Sequence, residues 1–174
     1  ILITGGTGSL GKVLTRRILS GEAGHPAKVI IFSRDEAKQH FMRVEYENRV
    51  AATDEIIYRN FQRLLEFRIG DVRDFGSVAS VLRDADVVVN CAGPFFTLGV
   101  PALETAIETG TTYVDICDDP APTAAMLALD ERARQAGVGA VIGMGASPGV
   151  SNLLALRASR HLDFCVGGTC ALGG

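Results

Sequence analysis

Three glycines near the start of the chain stand at a spacing that could handle a charged ligand. The opening ILITGGTGSLGK puts Gly5, Gly8 and Gly11 three apart, directly behind an apolar run. A pyrophosphate needs backbone N–H donors, and a helix N-terminus supplies them with a dipole oriented to favour an anion. Main chain can come that close only where no Cβ intervenes. Gly5 suits the tight turn, Gly8 the close approach and Gly11 the packing of helix on strand. Thr7 and Ser9 can add hydroxyl donors, and Leu10 lies on the same crest of main-chain amides. A glycine-rich turn without a ligand does not explain three glycines in one register. Lys12 follows Gly11, but Val13 is neither the Ser nor the Thr of a mononucleotide phosphate loop. The pattern therefore predicts a dinucleotide site.

Other residues at strand ends extend that site. The second apolar run closes IIFSRDE, with Ser33 and Arg34 where a carboxylate would bind the ribose 2′-OH of NAD. A hydroxyl and a guanidinium suit a 2′-phosphate, so NADP is favoured; NAD is the alternative, with Asp35 reaching the ribose. Asp71 and Val72 follow the third strand and are placed beside an adenine. Asn90, Cys91, Ala92 and Gly93 follow the fourth, where a small loop passes the middle of the cofactor. The GASPGVSN stretch offers Ser147, Ser151 and Asn152 at a helix start, suited to a substrate carboxylate. Asp115, Asp118 and Asp119 form an acidic group that could hold an amine, carry a proton or cap the next helix. No catalytic residue is assigned, and His25, His40 and His161 show no metal-ligand spacing.

These residues need strands and helices to place them. Apolar strands are predicted at 1–4, 29–32, 65–69, 86–90, 113–117 and 138–142. Between them the spacing predicts helices: residues 10–18 with a stop at Gly21, 35–48, 53–64 with Thr53 as cap, and one from Asp74. A further helix carries Pro101 in its first turn and stops at Gly110; another shows Ala125, Met126, Leu129 and Ala133 on one face. The last begins near Val150. Short apolar strands joined by helices mean an α/β fold, a doubly wound parallel sheet of about six strands in the order 3-2-1-4-5-6. Residues 1–159 are expected to form this Rossmann NAD(P)-binding domain. Residues 160–174, with FCVGGTCAL read as a kinked strand, are expected to begin a second, substrate domain. Ile1 already lies inside a strand, so the chain reads as a piece of a longer one.

Composition narrows the classes. The 174 residues carry a net charge of −3, with basic residues neither in excess nor clustered, so no nucleic-acid face is predicted. Apolar runs are too short for a membrane span. Four cysteines without a CxxC pair (Cys91, Cys117, Cys165, Cys170) fit free thiols in a reducing compartment, hence the cytoplasm. The expected partner is a small-molecule substrate. The charged stretch 35–63 reads as a solvated helical pair, with a homo-oligomer contact as the alternative.

Two resemblances follow. ILITGGTGSLGK, FSRDEAKQ and FRIGDVRD, within residues 1–74, resemble extended short-chain dehydrogenase/reductases of the polysaccharide-biosynthesis, nucleotide-sugar 4,6-dehydratase type. That likeness implies pyrophosphate on the first stretch, an NADP 2′-phosphate facing Ser33 and Arg34, and adenine on Asp71 and Val72. Within residues 86–158, DVVVNCAGPF, GVPALETAIETGTTYVDICDD and GMGASPGVSNLLA resemble saccharopine dehydrogenase and saccharopine reductase-like oxidoreductases. That likeness implies a Rossmann domain followed by a substrate domain, with hydride transfer at a carbon bonded to nitrogen. Short-chain reductases use a Tyr with a Lys four residues on, which eases proton transfer. Four residues after Tyr46, Tyr58 and Tyr113 stand Val50, Gln62 and Cys117, and Lys38 is the last lysine. The second likeness is therefore weighted more. The alternatives are a dehydratase or epimerase relative and a non-catalytic nucleotide-binding module.

Overall fold

The computed structural model describes residues 1–48 and 55–161. Its strands are β1 (Leu2–Thr4), β2 (Val29–Ser33), β3 (Leu65–Ile69), β4 (Val87–Asn90), β5 (Thr112–Asp115) and β6 (Ala140–Val141). They form one sheet in the order β3-β2-β1-β4-β5-β6, every pairing parallel. The expected doubly wound α/β fold is present. The helices are α1 (Ser9–Leu19), α2 (Glu36–Glu47), α3 (Glu55–Leu64), α4 (Phe75–Leu82), α5 (Phe95–Thr109), α6 (Pro120–Leu127), α7 (Asp130–Gln135) and α8 (Ser151–Ser159). Thr53 as a cap, the 164–172 strand, Cys165 and Cys170 fall outside the described residues.

Alternation along the strands feeds two cores. Leu2, Ile30, Phe32, Val88 and Tyr113 point to one face, against Val78, Leu82, Leu103 and Met126 of α4, α5 and α6. Ile3, Val29 and Ile31 point to the other, against Ile18, Met42, Ile57 and Phe61 of α1, α2 and α3. On that second face the rings of Tyr46 and Phe61 stack at 5.4 Å between centroids.

Two local expectations are corrected. Pro101 lies in the interior of α5, not in its first turn. The helix starts earlier, at Phe95 with Pro94 as its cap, because Phe95, Leu98 and Gly99 bury the same face as Leu103. Pro101 itself is exposed, so its missing N–H falls on the solvent side. The helix expected around 125–133 is two helices. Leu129 leaves helical geometry (φ −85°, ψ 3°) and Asp130 and Glu131 open the second one, where acidic groups meet the positive dipole end. Between β6 and α8 lies an irregular turn, Ala146–Val150, in which Gly149 takes φ +96°.

Leu103 is 1% exposed at the centre of the first core. Leu103→Ala is expected to lower unfolding stability by about 3 kcal/mol, from lost transfer energy plus the cavity. A denaturant midpoint shift at constant slope measures it.

Candidate functional site

Strand order reverses between β1 and β4, so the chain leaving β1 turns to one face of the sheet and the chain leaving β4 to the other, which opens a crevice above their paired ends. A cleft of about 580 Å³ occupies it. Gly5, Thr7 and Gly8 line it from the β1–α1 turn, Ser33, Arg34, Asp35 and Lys38 from the end of β2, Gly70 to Arg73 from the end of β3, and Cys91 to Pro94 with Thr97 and Leu98 from the β4–α5 junction. Of the sequence-predicted residues, the fold brings together Gly5, Thr7, Gly8, Ser33, Arg34, Asp71, Val72, Cys91, Ala92 and Gly93. Ser9, Leu10, Gly11 and Asn90 do not line the cleft.

Each of those four has a place of its own. Ser9, Leu10 and Gly11 are the first residues of α1, whose N–H groups have no intrahelical acceptor. Gly8 caps the helix without a side-chain bond, and the first turn has no acid, so the dipole is uncompensated from within. Gly11 is needed for packing: a Cβ there would stand 2.5 Å from the Gly6 Cα. Gly5 is needed twice over, since it has φ +62° and its Cβ would lie 2.8 Å from the Cys91 carbonyl oxygen. Asn90 is buried beneath the cleft. Its Oδ1 accepts from Thr4 Oγ1 at 2.5 Å and from the Ala92 N–H at 3.2 Å.

The charged groups are arranged in pairs. Asp35 caps α2 by accepting from the Lys38 N–H at 2.9 Å and pairs with Lys38 Nζ at 3.2 Å. These bonds, the backbone one first, hold its carboxyl below the usual range. Asp71 takes a two-pronged grip from Arg73 (Nε to Oδ1 and Oδ2 at 3.0 Å), which pushes its pKa down to about 2. The Ser33 Oγ accepts from Gln39 Nε2 at 3.1 Å, leaving its own proton to donate; the same Nε2 reaches the Arg68 carbonyl at 2.8 Å and ties the ends of β2 and β3 together.

Sequence reasoning missed Lys38, Gly70, Arg73, Thr97, Leu98 and the buried Gln39. Lys38 was within reach of a spacing argument, four residues from Arg34 across the first turn of α2. Gly70 was not: a Cβ there would meet the Phe32 ring at 2.4 Å, a contact between strands distant in sequence.

Other candidates sit elsewhere. Asp115 is fully buried and Asp119 stands at the N-cap of α6 without a side-chain cap bond. Ser151 is buried, its hydroxyl donating to Ser147 Oγ at 3.2 Å. The Cys91 thiol, half-buried in the cleft, is pushed up to about 11 by desolvation and stays protonated. Among the described residues no group of His, Cys, Asp or Glu is arranged to hold a metal, and no helix is long and apolar enough to cross a membrane.

Residues 1–112 match the family model described as polysaccharide biosynthesis protein. The chain belongs to that family. The match runs beyond the 74 residues that carry the likeness in sequence, and takes in β4 and α5. A UDP-N-acetylglucosamine 4,6-dehydratase (inverting) of Campylobacter jejuni is 39% identical over 92 residues, 53% of this chain and 23% of the relative. A UDP-glucose 4-epimerase of Rickettsia bellii is 38% identical over 93 residues, with the same shares. The chain thus spans about a quarter of the length of those relatives. Among solved structures, apo saccharopine dehydrogenase (L-Glu forming) of Saccharomyces cerevisiae superposes with TM-score 0.63 at 20% identity, over 92% of this chain and 30% of that one. A dTDP-glucose 4,6-dehydratase of Streptomyces venezuelae, solved with NAD bound, gives 0.55 at 21%, over 81% and 53%. At those identities the likeness is one of fold, and both neighbours share the Rossmann architecture.

Gly11→Ala is expected to wedge α1 off the Gly6 main chain, costing about 1–3 kcal/mol of stability, read by calorimetry. The Asp71 carboxyl should titrate near pH 2 by carboxyl-carbon NMR. Its pairing with Arg73 is complete above the ordinary carboxylate pKa of about 4 and lost as pH falls toward 2. In Arg73→Ala the titration should move back up toward the ordinary value.

Proposed function

We propose that the chain is the NAD(P)-binding domain of an oxidoreductase-type enzyme, with residues 1–159 as that domain and residues 160 onward opening a second, substrate-binding one. The observation that carries this is the cleft at the β1–β4 switch point, floored by Gly5 and Cys91 and flanked by the bare N-terminus of α1. The residues fit a dinucleotide. The N–H groups of Ser9, Leu10 and Gly11 would hold the pyrophosphate, with Thr7 beside them. Asp71 and Val72 would flank the adenine, and the Cys91–Ala92–Gly93 loop would run along the nicotinamide half.

NADP is the favoured cofactor. Asp35 is engaged as the cap of α2 and in its pair with Lys38, so its carboxylate is committed to the helix and not to a ribose hydroxyl. Ser33, Arg34, Lys38 and Arg73 together put one hydroxyl and three cations at the end of the cleft where a 2′-phosphate would lie.

A nicotinamide dinucleotide, when bound, supplies hydride transfer at its ring. The work of the chain is to orient it and to shed water from the cleft. Hydride transfer at a carbon–nitrogen centre of an amino-acid-like substrate is the reading taken for the whole protein. Two observations support it. Tyr113 is buried on β5 with its hydroxyl committed to Asp115, and α6 and α7, which follow β5, carry neither Tyr nor Lys. The second reading, a nucleotide-sugar dehydratase or epimerase, is favoured by the relatives that match the first half of the chain. It would require a proton-transfer pair from outside these residues. The two free thiols among the described residues suit a reducing, cytoplasmic setting.

Fluorescence titration tests the cofactor. NADPH should bind more tightly than NADH, and Arg34→Ala should weaken NADPH by about tenfold or more while leaving NADH nearly unchanged, the scale of one lost charge-assisted hydrogen bond. Equal affinities of the two in the unaltered chain would overturn the NADP assignment. No binding of either would overturn the functional reading.

A further inference from the structure

A chain of buried polar groups crosses the sheet just beneath the cleft. Thr4 on β1 donates to Asn90 Oδ1 on β4 at 2.5 Å. Asn90 Nδ2 donates to the Tyr113 hydroxyl on β5 at 3.0 Å, and that hydroxyl donates to Asp115 Oδ2 at 3.0 Å. Asp115 Oδ1 then accepts the Cys117 N–H at 3.1 Å and the Gly143 N–H at 2.8 Å, from the loop that follows β6. The Asp115 carbonyl also accepts the Met144 N–H at 2.8 Å. Thr4, Asn90, Tyr113 and Asp115 are each 3% exposed or less, and no described buried side-chain polar atom is left without a partner.

Direction matters here. Every proton along the row points toward Asp115, which ends it as an acceptor. Burial, together with the neighbouring Asp115, raises the Tyr113 hydroxyl far above its ordinary value, so it remains a donor. Satisfied networks of this kind in a low-dielectric interior hold their members in one arrangement, because any break strands a buried polar group. At one end of the row Asn90 fixes the Ala92 N–H, part of the cleft floor. At the other end Asp115 fixes Gly143, where the turn to α8 begins and where Gly143 takes φ +75°.

We propose that Asp115 is a positioning residue: through Tyr113 and Asn90 it locks the turn at residues 143–149 and the Cys91–Ala92–Gly93 floor of the cleft into one frame. The part of this that concerns a dinucleotide rests on the reading above. The consequence is that the turn carrying Ser147 and Ser151 and the floor facing the ligand do not move independently.

Amide exchange by NMR on the intact chain tests it, with Ile31 on central β2 as the measure of global opening. In Asp115→Asn the Nδ2 meets a hydroxyl that already receives a donor, and the oxygen left to the Cys117 and Gly143 N–H groups is uncharged and a weaker acceptor. Gly143 and Ala92 should then both exchange faster relative to Ile31, Gly143 by about tenfold. In Tyr113→Phe the Asp115 carboxylate still holds Gly143. Ala92 alone should exchange faster, and NADPH affinity should fall about threefold. A merely structural role would lower the melting temperature of both variants while leaving Ala92 and Gly143 unchanged relative to Ile31, and that result overturns the proposal. Should Asp115→Asn not fold, Tyr113→Phe decides by the same two amides. Should the unaltered chain not bind NADPH, the functional reading fails, and the exchange rates still decide the coupling.

Discussion

The structure depends on main chain meeting main chain at the head of β1. Gly5 rests against the Cys91 carbonyl and Gly11 against Gly6, at separations where a Cβ would stand under 3 Å from backbone atoms. These contacts hold the ends of β1 and β4 together and seat α1 with its cap, Gly8, on the crevice. Neither contact contributes much apolar area. What they do is remove the alternative: with a side chain at either place the turn must open, and the start of α1 leaves its place above the paired ends of β1 and β4.

Much of the fold was legible because parallel sheets write themselves plainly. Strands buried on both faces read as short apolar runs, as VIIF and DVVVN do, and handedness rules leave few orders for them. The β1–α1 glycines and the Ser33–Arg34 pair were legible for the same reason, being local to one strand end. What could not be read depends on distant partners. Pro101 looked like a helix start, and only the burial of Phe95 and Leu98 against the sheet shows the helix beginning earlier. Gln39 looked like a surface residue of a charged helix, yet its amide bridges Ser33 and the Arg68 carbonyl. Asp115 was read as a ligand for an amine or a cap for the next helix. Its bond to Gly143 spans 28 residues and has no local signature.

The family match ends at residue 112, where β5 begins, while the sheet continues in the same parallel register through β5 and β6. The matched residues take in the ends of β1, β2 and β3, which line most of the cleft. The row from Thr4 to Asp115 crosses that divide. It joins β1, β4 and β5 by side chains as well as by the ladder, and continues to the loop beyond β6.

Electrostatics at the far end of the cleft follows the same logic of prior commitment. Two carboxylates and three cations crowd the ends of β2 and β3. Left to themselves, Asp35 and Asp71 would repel a phosphate. Each is instead tied to a cation of its own, Lys38 or Arg73, and each carboxylate also accepts a backbone N–H. The pairs are exposed enough that they add little to stability. Their value lies in orientation: guanidinium and ammonium groups are gathered at one place along the cleft, with Arg34 outside both pairs. In the sequence, Asp35 directly after Ser33 and Arg34 left NAD open as the alternative to NADP. Its carboxylate is turned to the start of α2, and the same residue that looks like a ribose ligand serves as the cap that holds Lys38 at the cleft.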